Sequence, residues 1–190
     1  MDFFKYKNQF APEKGRLLIS EPFLPDPNFE RSVVLLCENN EEGSFGFVLN
    51  KPSLLSLGEV IEMNEMKEIV YVGGPVQQDT LHFIHRNPAL ADAREIYEGV
   101  YWGGNFESLM TLIDTNQMQT SDVRFFLGYS GWEPKQLEEE LEANSWIVCD
   151  YVDNHFLFSE NTSEMWKKAL ENMGGRFSVY SNYPIDPRLN

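Results

Sequence analysis

Positive charge is what this chain has least of. Its 190 residues hold 15 Lys and Arg against 30 Asp and Glu, a formal net charge of −15. Such a field repels phosphate backbones and anionic lipid surfaces. A duplex-binding protein gathers Lys and Arg on one face, whereas the densest basic spots here are pairs, Lys5 with Lys7 and Lys167 with Lys168. Direct nucleic-acid binding is therefore not expected. Cysteine is scarce too. Cys37 and Cys149 lie in the apolar stretches SVVLLCE and SWIVCDYV, with no CxxC and no Cys/His cluster. They read as two buried thiols of a reducing compartment. Long apolar runs are missing. Nothing approaches the roughly 20 residues of a membrane span, and the start, MDFFKYKNQFAPEKG, offers only Phe3-Phe4 where a secretory signal needs roughly 7–15 apolar residues. A cytoplasmic protein without membrane contact is expected, and the acceptor-like triplet Asn161-Thr162-Ser163 then carries no weight.

What is present suits a globular core. Apolar residues make up 42% and aromatics 14%, and a chain this long buries about 70% of the surface its unfolded form exposes. No internal repeat, low-complexity tract or linker divides it, so one domain over residues 1–190 is expected, with 1–14 and 182–190 as peripheral tails.

The strands come first. GRLLISEPF gives one before the Pro-rich loop around Pro22, Pro25 and Pro27. SVVLLCE is continuously apolar, as a strand buried on both faces is. EEGSFGFVLNKP turns at Glu42-Gly43 into a second strand, making a hairpin. LLSLGEVIEM holds a short helix, and EIVYVGGPV is a strand stopped at Gly73-Gly74-Pro75. TLHFIHRNP and AREIYEGVYWGGN read as further strands. Asn105 then caps a helix with Phe106, Leu109, Met110 and Ile113 on one stripe. DVRFFLGYSGW reads as strand and turn, followed by an acidic helix from about Pro134. SWIVCDYVD and HFLFSE read as strands. A last helix opens near Asn161, with Glu164 completing a capping-box-like pair, and Gly174-Gly175 stops it. Regular strand–helix–strand alternation is absent from the first half, which excludes a doubly wound fold. The expectation is an α+β domain with a coiled mixed sheet flanked by a few helices.

The search for chemistry centres on FFLGYSGWEPKQLEEEL. A nucleophile elbow needs G-x-S-x-G. Gly128 and Ser130 supply the first half, but position 132 is Trp and Gly131 falls one place early. Asp150 or Asp153 with His155 completes a Ser-Asp-His order, yet triads are made by geometry, not order. The same residues also read as a corner. With Glu133 as N-cap, Pro134 falls at N1, and Trp132 and Leu137 form a hydrophobic staple. Alternatively Ser130 and Glu133 make a capping box. The glutamates 133, 138, 139, 140 and 142 read as a solvated face, or as a partner-binding one. Gly73-Gly74 resembles neither phosphate-loop pattern. His82 and His85 point to opposite faces of a strand and cannot share a metal. No catalytic residue, metal or cofactor is assigned. The candidate pocket is Gly73, Gly74, Gly128, Ser130, Gly131 and Trp132, the two glycine turns at strand ends.

Three ordered segments, FERSVVLLCENNEEGSFGFVLNKP, VYVGGPV and FLGYSGWEPKQLEEELEANSWIV, resemble the hallmark stretches of the YqgE/AlgH family over roughly residues 15–185. These are bacterial cytoplasmic proteins, some labelled transcriptional regulators. The resemblance implies a single α+β domain with a coiled mixed sheet, and no catalytic residue, cofactor or ligand to carry over. Relatives often carry Ala at position 130 and His at position 39, where this chain has Ser130 and Asn39.

Three functions remain in play. The first is a non-catalytic binding or regulatory module acting through an unknown protein or small molecule. The second is a hydrolase-like enzyme with its pocket at Gly73-Gly74 and Gly128 to Trp132. The third, a direct DNA binder, ranks last because no helix-turn-helix carries a basic recognition helix.

Overall fold

The computed structural model describes residues 6–63, 65–150 and 152–185. Strands β1 (Leu17–Ser20), β2 (Val33–Asn40) and β3 (Gly43–Val48) pair antiparallel in succession. The apolar run SVVLLCE becomes β2. Val33, Leu35 and Cys37 enter one core, while Val34 and Leu36 enter another. Both faces are covered, which is why this strand shows no polar alternation.

The chain continues through β4 (Pro52–Ser56), α1 (Leu57–Val60), β5 (Ile69–Val72) and the long β6 (Val76–His85). A hairpin of β7 (Arg94–Tyr97) and β8 (Val100–Trp102) leads to α2 (Phe106–Asp114), whose Asn105 side chain accepts the Ser108 N–H. Then come β9 (Val123–Trp132), α3 (Gln136–Glu142), β10 (Trp146–Cys149), α4 (Asn154–Leu157), α5 (Met165–Met173) and α6 (Gly175–Tyr180). The sheet runs β10-β1-β2-β3-β9-β6-β8-β7 and does not close on itself; β5 lies parallel to β9 and carries β4. The architecture is thus α+β, an open and mainly antiparallel sheet, mixed through the parallel β5–β9 pair, with helices against it. Helix α5 and α6 cover one face around Leu35, Phe47 and Trp166. Helix α3 covers the other around Leu36, Leu137 and Trp146. Helix α2 closes a third cluster around Phe83, Leu109 and Phe125.

Strand β9 is the spine, and the sheet forks on one of its edges. Ser130–Trp132 pair with β3, and Phe125–Leu127 on the same strand pair with β5. Gly73 sits at the junction. Its N–H donates to the Leu127 carbonyl at 2.9 Å, and its own carbonyl accepts the Val48 N–H at 2.8 Å and the Ser130 hydroxyl at 3.0 Å. A Cβ on Gly73 would stand 2.4 Å from the Gly128 carbonyl oxygen, and one on Gly74 would stand 2.2 Å from the Tyr129 carbonyl. Three backbones meet with no space for a side chain, so glycine is required there.

Several local readings change. GYSGW is not a turn: β9 continues through it to Trp132. AREIYEGVYW is a hairpin rather than one strand. HFLFS, apolar enough to read as a strand, forms α4. Asp153 caps it by accepting the His155 N–H, and two arginines take its backbone carbonyls. Arg86 donates to the Asn154 carbonyl, while Arg124 donates to those of Leu157 and Ser159. Tertiary hydrogen bonds override the local pattern there. Helix α3 begins at Gln136, not Pro134, after Lys135 in the left-handed region at φ 71°. The Glu133 N–H is satisfied by the Gln136 side chain instead of a Ser130 box. Trp132 and Leu137 still share one core. The box between Asn161 and Glu164 does not form; a 3₁₀ turn at Thr162–Glu164 leads into α5. Gly174 ends α5, but α6 follows at once.

The segments read as tails lie on the body where they are described. Asn8 accepts the Val148 N–H and donates to the Trp146 carbonyl, covering the outer edge of β10. Tyr183 stacks on Phe23. Residues 1–5 and 186–190 fall outside the described residues, Lys5 of the basic pair among them. Cys37 and Cys149 are buried thiols.

Candidate functional site

The two glycine segments do meet, but backbone fills the space between them. Ser130 is wholly buried in β9 opposite Gly46, and its hydroxyl hydrogen is committed to the Gly73 carbonyl. A Cβ on Gly128 would lie 2.8 Å from the Gly74 carbonyl oxygen. Asp153 is occupied as the α4 cap. An elbow presents its serine to substrate at a strained turn; Ser130 has neither the turn nor the access. Asn39 donates to the Pro12 carbonyl and accepts the Ser44 hydroxyl, a hairpin brace.

An opening does exist on the other side of Gly131. Strand pairing places Phe45 opposite Gly131, and cross-strand partners share a face. The missing side chain leaves a hollow flanked by Phe47 and Tyr129, each two positions along its strand. His82 of β6 and Trp102 of β8 complete the walls. The result is a cleft of about 540 Å³. Gly131 and Trp132 line it; Gly73, Gly74, Gly128 and Ser130 do not, and stand behind as the sheet fork.

Its walls are aromatic. Phe45 meets Trp102 at 4.8 Å between ring centres, with 62° between planes, and Tyr129 at 6.2 Å and 83°. Phe47 lies 5.4 Å from the His82 ring, and His82 lies 5.9 Å from Tyr129. The rim is acidic: Glu38 and Glu42 come from the β2–β3 hairpin and Glu133 from the entry to α3. None of the described residues lining the cleft is Lys or Arg. Asn40 and Gln136 are the rim amides, and the Asn40 amide donates to Glu38 at 2.7 Å.

The two histidines of β6 have separate fates. His85 is buried; its Nδ1 accepts the Asn87 N–H, so Nε2 carries the proton and donates to the Gly103 carbonyl at 2.8 Å. Burial holds its pKa below the ordinary imidazole value, and those two bonds only partly oppose that. His82 faces the cleft. Burial lowers its pKa too, and its Nε2 is shielded from solvent with no hydrogen-bond partner. Among the described residues no group of three His, Cys, Asp or Glu side chains could hold a metal ion.

Trp132 is fixed from behind. Glu140 places one carboxylate oxygen 2.9 Å from the Trp132 indole nitrogen and 2.7 Å from that of Trp146, while its other oxygen accepts from Gln136. One member of the supposed solvated glutamate face is therefore the clamp between α3, β9 and β10. Sequence reasoning missed Phe45, Phe47, His82, Trp102 and Tyr129 as cleft residues. The spacing Phe45-x-Phe47 hints at one aromatic face. The rest comes from three other strands, brought together only by the sheet order.

A second hollow, about 630 Å³, lies between Tyr6–Phe10 and the α5–α6 break. Lys7, Asp150 and Arg176 are among its lining residues.

Comparison with known proteins follows the same outline. The AlgH-like family model matches residues 17–178. A UPF0301 protein from Cytophaga hutchinsonii is 50% identical over 180 residues, covering 93% of this chain and 98% of that one. One from Bacteroides thetaiotaomicron is 40% identical over 192 residues, covering 100% and 97%. Among solved structures, the AlgH protein from Pseudomonas aeruginosa superimposes with a TM-score of 0.72 at 30% identity, over 93% of this chain and 98% of that one. Protein DIP2367 from Corynebacterium diphtheriae gives 0.77 at 21% identity, over 94% and 95%, a likeness of fold.

Proposed function

This chain belongs to the AlgH-like family, and on that premise we propose that it is a binding module rather than an enzyme, working through the cleft between β3, β9, β6 and β8. Any regulatory effect passes through a small molecule or a protein side chain received there, not through DNA. The observation that carries this reading is the pairing of an open aromatic cleft with the commitment of every hydroxyl, imidazole and carboxylate of the supposed triad to the fold or to open solvent. Ser130 is locked to Gly73, Asp153 caps α4, and Asp150 and His155 are exposed. A net charge of −15 makes a phosphate backbone a poor partner.

The test is a fragment screen read by amide ¹⁵N–¹H shifts, with short duplex DNA as a separate arm. Shifts clustered on Ser44–Phe47, His82, Trp102 and Tyr129 are expected from at least one fragment class, and none from DNA. Saturable DNA shifts, or fragment hits that never touch the cleft, would overturn the reading. A saturating ligand should also raise the Tm as its concentration rises.

A further inference from the structure

We propose that the cleft receives an organic cation, an ammonium or guanidinium group on an aliphatic stem. The group lies against the Phe45, Trp102 and Tyr129 rings, within the field of the Glu38, Glu42 and Glu133 carboxylates. This deepens the binding reading and rests on it.

Two features agree on the sign of the guest, and a third bears on its shape. The first is charge. Three carboxylates stand at the rim, none of the described lining residues is cationic, and a concave acidic site focuses the field of a chain carrying −15. An anion would meet the three rim carboxylates, with few donors to offset them; the Asn40 amide is already given to Glu38.

The second is ring geometry. A cation gains from an aromatic face within about 6 Å of the ring centre. Phe45 stands at steep angles to both Trp102 and Tyr129, so the three rings beside the hollow do not lie in one plane. The Trp102 ring already accepts such a contact, for the Arg94 guanidinium lies 5.7 Å from its centre.

The third is depth. Phe47 and Val76 lie among the lining residues and give an alkyl stem an apolar path. A volume of about 540 Å³ suits a small ligand or a single long side chain.

The first probe is choline, titrated beside its neutral carbon isostere 3,3-dimethylbutan-1-ol, with amide shifts as the readout. Choline should shift Phe45, Trp102 and Tyr129 saturably and bind about tenfold tighter than the isostere, the size of a partly desolvated cation–π contact. The second comparison uses variants that keep the shape: Phe45→Leu, and the triple change of Glu38, Glu42 and Glu133 to Gln. Each should weaken choline severalfold while leaving the rest of the spectrum in place. Spermidine and a short arginine peptide then separate a free polyamine from a protein side chain as the natural source, according to which binds more tightly. Equal affinity for choline and the isostere, unchanged affinity in both variants, or shifts scattered over the acidic surface would overturn the proposal. If a neutral or anionic fragment fills the cleft and cations do not, this proposal fails and the binding reading survives. If nothing enters the cleft, both fail.

Discussion

At the residue scale, the glycines and one histidine carry the sharpest consequences. Gly73→Ala forces a methyl group to within 2.4 Å of the Gly128 carbonyl oxygen and 2.9 Å of the Phe47 ring. Overpacking of backbone against backbone cannot relax by a rotamer change, so a loss of about 3 kcal/mol is expected in urea unfolding. Ser130→Ala should cost only about 1 kcal/mol, because the Gly73 carbonyl keeps its bond from the Val48 N–H. A reversed order of the two would refute the fork as the reason for these glycines. The sequence marks both positions as special, since paired glycines at a strand end demand a cause. It does not say whether that cause is a ligand or a third backbone. His85 gives a pH signature. Its folded pKa lies below the ordinary 6.5, so the unfolded chain takes up the proton first. The stabilisation from the neutral ring is fully present above pH 6.5 and is lost as the pH falls below it. The stability advantage of the parent over His85→Gln should therefore shrink between pH 7.5 and 5.5. A constant difference would mean the imidazole is not held neutral.

At the element scale, a buried arginine decides what local pattern could not. Arg124 is 3% exposed and donates to the carbonyls of Leu157, Ser159 and Leu49, with its guanidinium 3.8 Å from the Tyr71 ring centre. Burial lowers its pKa to about 10, so it stays charged at neutral pH. Arg124→Met leaves three carbonyls without that donor, and a loss of about 3 kcal/mol follows. Hydrogen exchange should speed first at residues 154–159. Loss of protection spread evenly over β9 instead would show that the side chain serves the strand and not α4. This is also where the sequence reading failed for a physical reason. HFLFS has strand-like residues, and the groups that make it helical lie about 30 and 70 positions away. Elements whose cause is local were legible: β2 from its unbroken apolar run, the β2–β3 hairpin, although its turn falls at Glu41-Glu42, one place before the expected Glu42-Gly43, and α2 from Asn105 and its stripe. Little of the cleft was legible. Of the six residues read as a pocket only Gly131 and Trp132 line it, and Trp102 and His82 reach it only through the strand order β9-β6-β8.

At the scale of the whole molecule, charge is the plainest property. With −15 spread over 190 residues, mixed duplex DNA should not bind even at low salt, where electrostatic attraction is greatest. A gel-shift series from low to physiological salt checks it. A complex that dissolves steeply as salt rises would mean that the few Lys and Arg converge on one face. The fork at Gly73 has one more consequence, and it concerns time. Gly46 must wait for Ser130, 84 positions later, and β5 and β6 also pair along one edge with β9. At roughly 5–20 residues per second of synthesis, the β3 edge is made about 4–17 seconds before its partner leaves the ribosome. A chain ending at Asp122 should therefore be cut by protease throughout β3, β5 and β6, whereas chains that include β9 resist. Until its spine arrives, β3, β5 and β6 each keep one edge open, and the dependence of this protein on chaperones should be concentrated in that interval.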